Sequence, residues 1–291
     1  MADRIDHFAA FSFVDRITEF MPGVGARGEF HVPATLGAFP ACLVAEAVGQ
    51  LAAWVSMEHI DYRGRPVAAL AGETRFSGDV LPGDTIQLAV ALDDVDDDAV
   101  SYCGWADVNG TRVIELNDCL GPMLPVADFD APEALRERFA LLRGAGARPD
   151  RFTGVVDPTV TMIEHIPGQS MRALMQIPAT APFFADHFPR RPVFPATLLL
   201  NTQIGLAGVL AREVNGSSNG PQPVPTRMTR LKMRAFIVPG QQVDSRAEVS
   251  DTQDSGTQDR VTRIALTARD DDGKTIATAR VEFVAPAAAM P

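Results

Sequence analysis

The sequence is poor in the residues that build disulfides, metal sites and membrane spans. Its 291 residues include three cysteines, Cys42, Cys103 and Cys119, whose wide spacing fits neither a metal-binding motif nor a disulfide framework. No run of 18 apolar residues occurs, which argues against a membrane-spanning helix. The chain does not open on a basic segment followed by an apolar stretch, so we expect no secretory signal. These absences predict a protein of the reducing cytoplasm, without a metal, a cofactor or a membrane partner.

Positive charge is scarce in the first half of the chain. The net charge is −11, and residues 1–126 hold 7 basic and 19 acidic residues, whereas the remaining 165 residues hold 19 and 18. A chain that is acidic overall is unsuited to general nucleic-acid binding. The nearly neutral second half can still receive an acidic partner through a local basic surface.

The chain contains an internal repeat. MPGVGARGEFHVPAT (21–35) aligns with IPGQSMRALMQIPAT (166–180) at an offset of 145 positions. FPACLVAEAVGQLAA (39–53) aligns with FPATLLLNTQIGLAG (194–208) at an offset of 155, and Pro82-Gly83 aligns with Pro239-Gly240 at 157. Because the matching blocks stay in order along the chain, they indicate a duplication.

Each repeat predicts one long helix followed by β-strands. The helices are expected at 41–59 and 196–214, where Pro40 and Pro195 suit a helix start. Alternating, β-branched segments predict strands at 66–76, 85–93, 99–108 and 111–122, and at 226–237, 242–250, 259–270 and 274–285. The simplest architecture is an α+β fold in which an antiparallel sheet wraps one buried helix per repeat. We expect a first repeat at 1–126, a linker at 127–152 with a short helix from Pro132 to Arg143, and a second repeat at 153–291.

One loop of the second repeat has no counterpart in the first. Ten extra residues fall within APFFADHFPRRPVF (181–194), which faces only LGAF (36–39). His187 is therefore unique to the second repeat. The other candidate histidine, His31, aligns with Gln176 and is interpreted as a strand residue.

The two long helices also differ at matching positions. The first helix is apolar on nearly all sides but carries Glu46 and Gln50, four residues apart and thus on one face. The second helix has Asn201 and Gly205 at these positions. A carboxyl group in a buried helix is either a structural group satisfied by backbone or water, or a protonated acid that can donate a proton. A histidine among aromatic residues is usually a packed core residue, but a proline-rich loop before a helix favours a functional role for His187.

These residues carry a resemblance to a known family. HFPRRPVFPATLLL and FPACLVAEAVGQ resemble the two parts of the signature of hotdog-fold 3-hydroxyacyl-[acyl-carrier-protein] dehydratases, H-F-P-G-x-P-V-x-P-G-x-L and P-G-x-L-x-x-E-A-x-x-Q. The similarity extends over about 11–123 and 155–286. It implies a double hotdog, which consists of two tandem hotdog repeats. Arg190, Ala196 and Ala41 replace glycines of the family, and a position that required a positive φ would be strained by this change.

The resemblance also implies one composite active site. The family takes its histidine from one hotdog and its acid from the helix of another, so His187 would pair with Glu46 across the two repeats. His187 would remove the C2 proton of a 3-hydroxyacyl thioester, and Glu46 would protonate the leaving hydroxyl. Gln50 would hold Glu46 or the water, and Val193 would line the tunnel. An amide N–H at Ala196 or Thr197 would receive the charge that develops on the thioester oxygen.

The same resemblance suggests partners and leaves alternatives open. The substrate would be bound to acyl carrier protein or coenzyme A, in fatty acid or polyketide biosynthesis. Arg190 and Arg191 would dock the acidic carrier, with the basic strand TRMTRLKMR as a weaker candidate. Association into a homo-oligomer stays open. The alternatives are a non-catalytic acyl-binding or assembly protein, a hotdog thioesterase and an enoyl-CoA hydratase, although the hydratase pattern D-x-N-x-x-H is absent.

Overall fold

A computed structural model describes residues 8–216, 222–254 and 260–285. The first repeat contains β1 (Arg16–Met21), β2 (Gly25–His31), α1 (Ala41–His59), β3 (Gly64–Pro66), β4 (Leu70–Phe76), β5 (Thr85–Val95), β6 (Ala99–Val108) and β7 (Thr111–Pro125). A short 3-10 turn (Val126–Asp128) and α2 (Pro132–Arg143) follow. The second repeat contains β8 (Thr159–Ile166), β9 (Ser170–Gln176), a 3-10 turn (Pro182–Ala185), α3 (Ala196–Val214), β10 (Val224–Met233), β11 (Gln242–Asp254), β12 (Arg260–Arg269) and β13 (Thr275–Ala285).

The strands of both repeats form one antiparallel sheet. Its order is β1-β2-β5-β6-β7-β4-β10-β13-β12-β11-β9-β8, and β3 pairs with β7 beside this path. The second half of this order is the mirror image of the first, as expected for a duplicated unit. The repeats join where β4 pairs with β10, in a register that places Thr74 opposite Met228. The prediction that the two sheets are continuous is therefore confirmed.

Both long helices occupy the predicted ranges and pack on the same sheet. Pro40 and Pro195 stand at the N-cap positions rather than inside the first turn, and their carbonyl groups accept the N–H groups of Leu43 and Leu198. α1 is buried along most of its length, since its side chains are apolar nearly all round. It approaches β6 at Gly104, where a Cβ would come within 2.5 Å of a Val48 methyl carbon. This glycine allows the close contact between helix and sheet.

Two strand predictions were wrong in detail. The predicted strand 66–76 is divided into β3 and β4, because residues 67–69 leave the ladder while keeping hydrogen bonds from Val67 and Ala69 to β7. The strand predicted to reach residue 237 ends at Met233, since the carbonyl group of Ile237 instead accepts the N–H of Phe194 in the His187 loop. Backbone groups near the candidate site thus bind the loop rather than extend the sheet.

The segment between the repeats packs against the first repeat. α2 covers β1, where Phe139 contacts Phe20 with ring centroids 5.2 Å apart, and Arg143 lies 4.6 Å over the Phe20 ring. α2 occupies the range predicted for the linker helix and ends at Gly144. The division at residues 126 and 153 stays a prediction. None of the helices in the described part of the chain is long and apolar enough to cross a membrane.

Candidate active site

A cavity of about 220 Å³ lies between α1 and the strands where the repeats join. Both repeats line it, and most of its wall is apolar. The polar side chains in the wall include Glu46, Gln50 and Arg65 from the first repeat and His187 and Thr197 from the second. The structure therefore brings together residues that are 141 positions apart in the sequence, His187 and Glu46, at one cavity.

The His187 ring is held in one orientation by its own loop. Its Nδ1 lies 2.8 Å from the carbonyl oxygen of Val193, and its backbone N–H donates to Phe183. A carbonyl oxygen can only accept, so Nδ1 must carry the hydrogen and Nε2 is left with a free lone pair when the ring is neutral. Phe11 packs edge-on against the ring, with centroids 5.4 Å apart. The ring is thus prepared to accept a proton at Nε2.

The electrostatic surroundings of His187 favour the neutral ring. Burial lowers the pKa of His187 below its usual value of 6.5, because a charged ring loses its hydration. The positive charge of Arg65 lowers this pKa further, while Glu46 and the Val193 carbonyl raise it. Since burial is the largest of these causes, His187 is an uncharged base at neutral pH.

Two side chains hold the Glu46 carboxyl group. Thr197 of α3 donates its hydroxyl hydrogen to one oxygen at 2.9 Å, and Gln50 donates its amide to the other at 3.1 Å. The amide oxygen of Gln50 accepts the N–H of Phe13, and its nitrogen also donates to the carbonyl oxygen of Phe11. The contact from Thr197 crosses from the second repeat to the first. Glu46 is therefore oriented by both repeats.

The remaining predicted residues divide into two groups. Val193 and Ala196 line the same cavity as His187 and Glu46, as Gln50 and Thr197 do. His31 and Asn201 do not line it, and the His31 ring instead contacts Thr85 and Asp150. Within the described residues, no second arrangement of the same kind occurs. The catalytic roles of these residues stay predictions.

The replacement of family glycines does not strain the backbone. Among the described residues, those with positive φ include neither Arg190 nor Ala196 nor Ala41. The N–H groups of Ala196 and Thr197 lie in the first turn of α3, where a helix supplies no acceptor. Alanine at position 196 is thus compatible with an anion site at this helix end.

Sequence reasoning missed the contribution of the linker. Arg65 lines the cavity, pairs with the buried Asp130 at 3.2 Å and lies 4.4 Å over the ring of Phe188. Burial lowers the pKa of Arg65, an effect that Asp130 and Glu46 oppose. Phe129 packs against Phe188 with centroids 5.0 Å apart. The linker has no counterpart in the repeat, so alignment of the repeats carried no signal for Phe129 and Asp130.

Arg190 and Arg191 both contact the linker. The backbone N–H of Arg190 donates to Phe129 at 3.1 Å, and its guanidinium donates to the carbonyl oxygen of Ala127 at 2.9 Å. Arg191 lies over the rings of Phe236 and Phe129, at 5.1 and 5.7 Å. Both arginines are exposed on their outer side. Ala127 and Phe129 thus support the loop that carries His187.

Replacing Arg190 by alanine should loosen this loop without unfolding the protein. The change removes one hydrogen bond to a charged donor, which is worth about 1.5 kcal/mol and corresponds to roughly a tenfold effect. We expect amide hydrogen exchange in residues 187–194 to quicken by about that factor, and Arg190→Lys to restore part of the protection. Arg280→Ala, which alters an exposed arginine on β13, is the matched control. Unchanged exchange in Arg190→Ala would refute this role.

Solved structures share the overall fold. Acyl-CoA thioesterase II TesB2 from Mycobacterium marinum superposes with a TM-score of 0.53 and 11% identity, covering 90% of this chain and 93% of that one. The dehydratase domain of PpsC from Mycobacterium tuberculosis, in complex with C12:1-CoA, has a TM-score of 0.51 and 14% identity, covering 96% and 100%. At such low identity the likeness establishes the fold alone, and that fold is the hotdog fold.

Sequence comparison finds its match in the second half of the chain. Residues 148–280 match the family model of the FabA-like domain. A 3-hydroxyacyl-[acyl-carrier-protein] dehydratase FabZ from Shewanella sp. (strain W3-18-1) is 29% identical over 85 residues, which cover 28% of this chain and 55% of the relative. The chain thus spans about half the length of the curated relatives it matches.

Proposed function

We propose that the protein is a double hotdog that dehydrates a 3-hydroxyacyl thioester to a trans-2-enoyl thioester. The observation that carries the proposal is the cavity shared by His187 and Glu46, which come from different repeats. The hydrogen bond from Thr197 to Glu46 supports a composite site, because it links the helices of the two repeats at the acid. The similarity to FabZ dehydratases supports the reaction class.

The reaction begins with proton removal by His187. Its neutral ring presents Nε2 to the cavity, while the Val193 carbonyl group holds the hydrogen on Nδ1. The electron pair of the C2–H bond moves toward the thioester carbonyl, whose oxygen becomes negative. The N–H groups of Ala196 and Thr197, at the positive end of α3, stabilise this charge.

The reaction ends with loss of the C3 hydroxyl group. Glu46, in its protonated form, donates its proton to that hydroxyl, and the C3–O bond breaks as the C2=C3 double bond forms. The products are water and the 2-enoyl thioester. Thr197 and Gln50 keep the carboxyl group directed at the substrate, since each binds one of its oxygens. The proton taken by His187 balances the proton given by Glu46.

A panel of thioesters tests the proposal directly. The protein is incubated with 3-hydroxyacyl thioesters of pantetheine, coenzyme A and carrier protein that differ in acyl chain length. The masses of the products are then measured by mass spectrometry. Dehydration appears as the loss of one water mass with the thioester intact. Release of the free acid would identify a thioesterase instead. Retention of every substrate, accompanied by binding, would identify a non-catalytic acyl-binding protein.

The acyl carrier would enter beside the loop that holds His187. We propose that the exposed cations Arg190 and Arg191 receive an acidic carrier there. The alternative basic strand, β10, exposes Arg227, Arg230 and Lys232, and the exposed Arg234 follows it directly. The Arg190 guanidinium is hydrogen-bonded to Ala127, whereas the Arg191 guanidinium lies over the Phe129 ring, so Arg191 is the residue changed in the test of docking.

Arg191→Glu should raise the KM for a carrier-bound substrate. Removal of one favourable charge contact and addition of a repulsive one should cost roughly tenfold at low salt, and less as salt is added, because exposed charges are screened. Turnover of a short pantetheine thioester should hardly change. Arg280→Glu is the control for net charge. Equal losses on both substrates would show that Arg191 shapes the active site, and docking at this residue would be wrong.

A further inference from the structure

Strand β8 lies at the edge of the sheet and exposes four apolar side chains. It is the last strand in the sheet order, and within residues 8–216, 222–254 and 260–285 it pairs with β9 alone. All of its residues are exposed, and the exposed fractions of Val160, Met162, Ile163 and Ile166 are 39%, 41%, 49% and 40%. An edge strand of this kind presents unpaired backbone N–H and C=O groups to another strand.

The internal repeat shows how unusual this exposure is. β1 is the equivalent strand of the first repeat, and at the offset of 145 positions Ile17 aligns with Met162. Ile17 is only 4% exposed, and Phe20 of the same strand packs against Phe139 of α2. No helix in the described part of the chain covers β8 in this way. The position of Ile17 is therefore buried in the first repeat, whereas the equivalent Met162 is exposed in the second.

The apolar side chains of β8 lie on both faces of the sheet. Val160 and Met162 are paired with Met175 and Ala173, which are buried, so they belong to the inner face. Ile163 belongs to the bulge opposite Arg172, whose side chain is exposed on the outer face. A helix laid on the sheet would cover one face only. A strand added at the edge would contact the apolar side chains on both faces.

The charges of β8 suit pairing with its own copy. The strand carries one acid, Glu164, and the ring of His165 is bound by Glu213 of the same chain. In an antiparallel pair centred near Met162, Glu164 faces Val160 or Thr161 of the other copy rather than another carboxylate. The second repeat is also nearly neutral, whereas the excess acid lies in the first. β1 would pair less well, since it carries two exposed charged residues, Arg16 and Glu19.

We infer that two copies of the chain associate through antiparallel pairing of β8 with β8. This symmetric contact extends the sheet across the dimer, in the way that β4 and β10 already join the two repeats within one chain. The surface needs no second type of partner, because a two-fold contact is complementary to itself. The cavity lies at the centre of each sheet, far along the strand order from β8, so the contact leaves it unchanged.

Analytical ultracentrifugation of the full chain from low to high micromolar concentration tests the inference. The wild-type chain should sediment as a dimer, and Ile163→Lys should sediment as a monomer, because a charge on an edge strand opposes pairing. Val238→Lys, which alters an equally exposed apolar residue outside the strand, should stay dimeric. Amide exchange in residues 159–166 should be slower in the wild type than in Ile163→Lys. Thr161→Lys serves as a second variant should Ile163→Lys fail to fold.

Two results would overturn the inference. If the wild-type chain stays monomeric throughout the concentration range, β8 does not pair with its own copy, and its exposed edge would be open to another protein. A dimer that survives in both lysine variants would place the interface elsewhere. Turnover of a pantetheine thioester should be the same in Ile163→Lys and the wild type, so this experiment and the test of catalysis can fail independently.

Discussion

His187→Ala should lower the rate of dehydration about 10²- to 10⁴-fold, the range expected for loss of a general base. The ring is the base of the proposed reaction because its Nε2 is free while Nδ1 is bound to Val193. The substitution removes the ring but leaves the Phe183, Phe188 and Val193 packing around it. The measurement is kcat on a 3-hydroxyacyl pantetheine thioester, with thermal unfolding followed to show that the protein is folded.

Glu46→Gln should cause a loss of similar size. The amide keeps the shape of the side chain and can still contact Thr197 and Gln50, but it has no acidic proton to give. The double variant should be little worse than either single variant, since residues that act in one reaction step are not additive. Asn201→Ala is the matched control, because it changes the equivalent position of α3, and its rate should be near that of the wild type. Near wild-type rates in both site variants would leave an acyl-binding role.

The second large expected effect is a fall in kcat/KM at acid pH. Dehydration needs the neutral ring of His187, and burial lowers the pKa of that ring below 6.5. The rate should therefore be independent of this group at pH 7 and above. Below the lowered pKa, kcat/KM should fall about tenfold for each pH unit, because the neutral fraction falls by that factor.

Arg65 provides a check on the cause of this shift. Its positive charge is one of the causes that lower the pKa of His187, so its removal raises that pKa. The acid limb of Arg65→Gln should therefore move to higher pH than in the wild type. Titration of the His187 ring by NMR gives the same shift without a substrate. A limb that moves to lower pH would contradict the electrostatic role of Arg65.

Much of the architecture was predictable because local signals agreed with one another. The helices at 41–59 and 196–214 follow from long, mostly apolar segments that begin after a proline, and both are confirmed. The turn at Asn109-Gly110 has positive φ at both residues, as its sequence requires for a tight hairpin. A predicted strand boundary was wrong where a backbone group is hydrogen-bonded to a residue distant in the sequence. The carbonyl oxygen of Ile237 accepts the N–H of Phe194 in the His187 loop, and the local sequence pattern does not predict such a bond.

The sequence alone determined the duplication, the two buried helices and the asymmetry that leaves one histidine loop and one helical acid. These features are local or repeat along the chain, so the sequence predicts them without knowledge of the tertiary structure. Tertiary structure alone decided that β4 pairs with β10, and that this seam brings His187, Glu46 and Thr197 to one cavity. It also placed Phe129 against the His187 loop and Asp130 against Arg65, and in the described part of the chain it left β8 without a covering helix while α2 covers β1. The physical reason is that burial and partnership depend on which surfaces meet, and residues more than a hundred positions apart meet only when the whole sheet has formed.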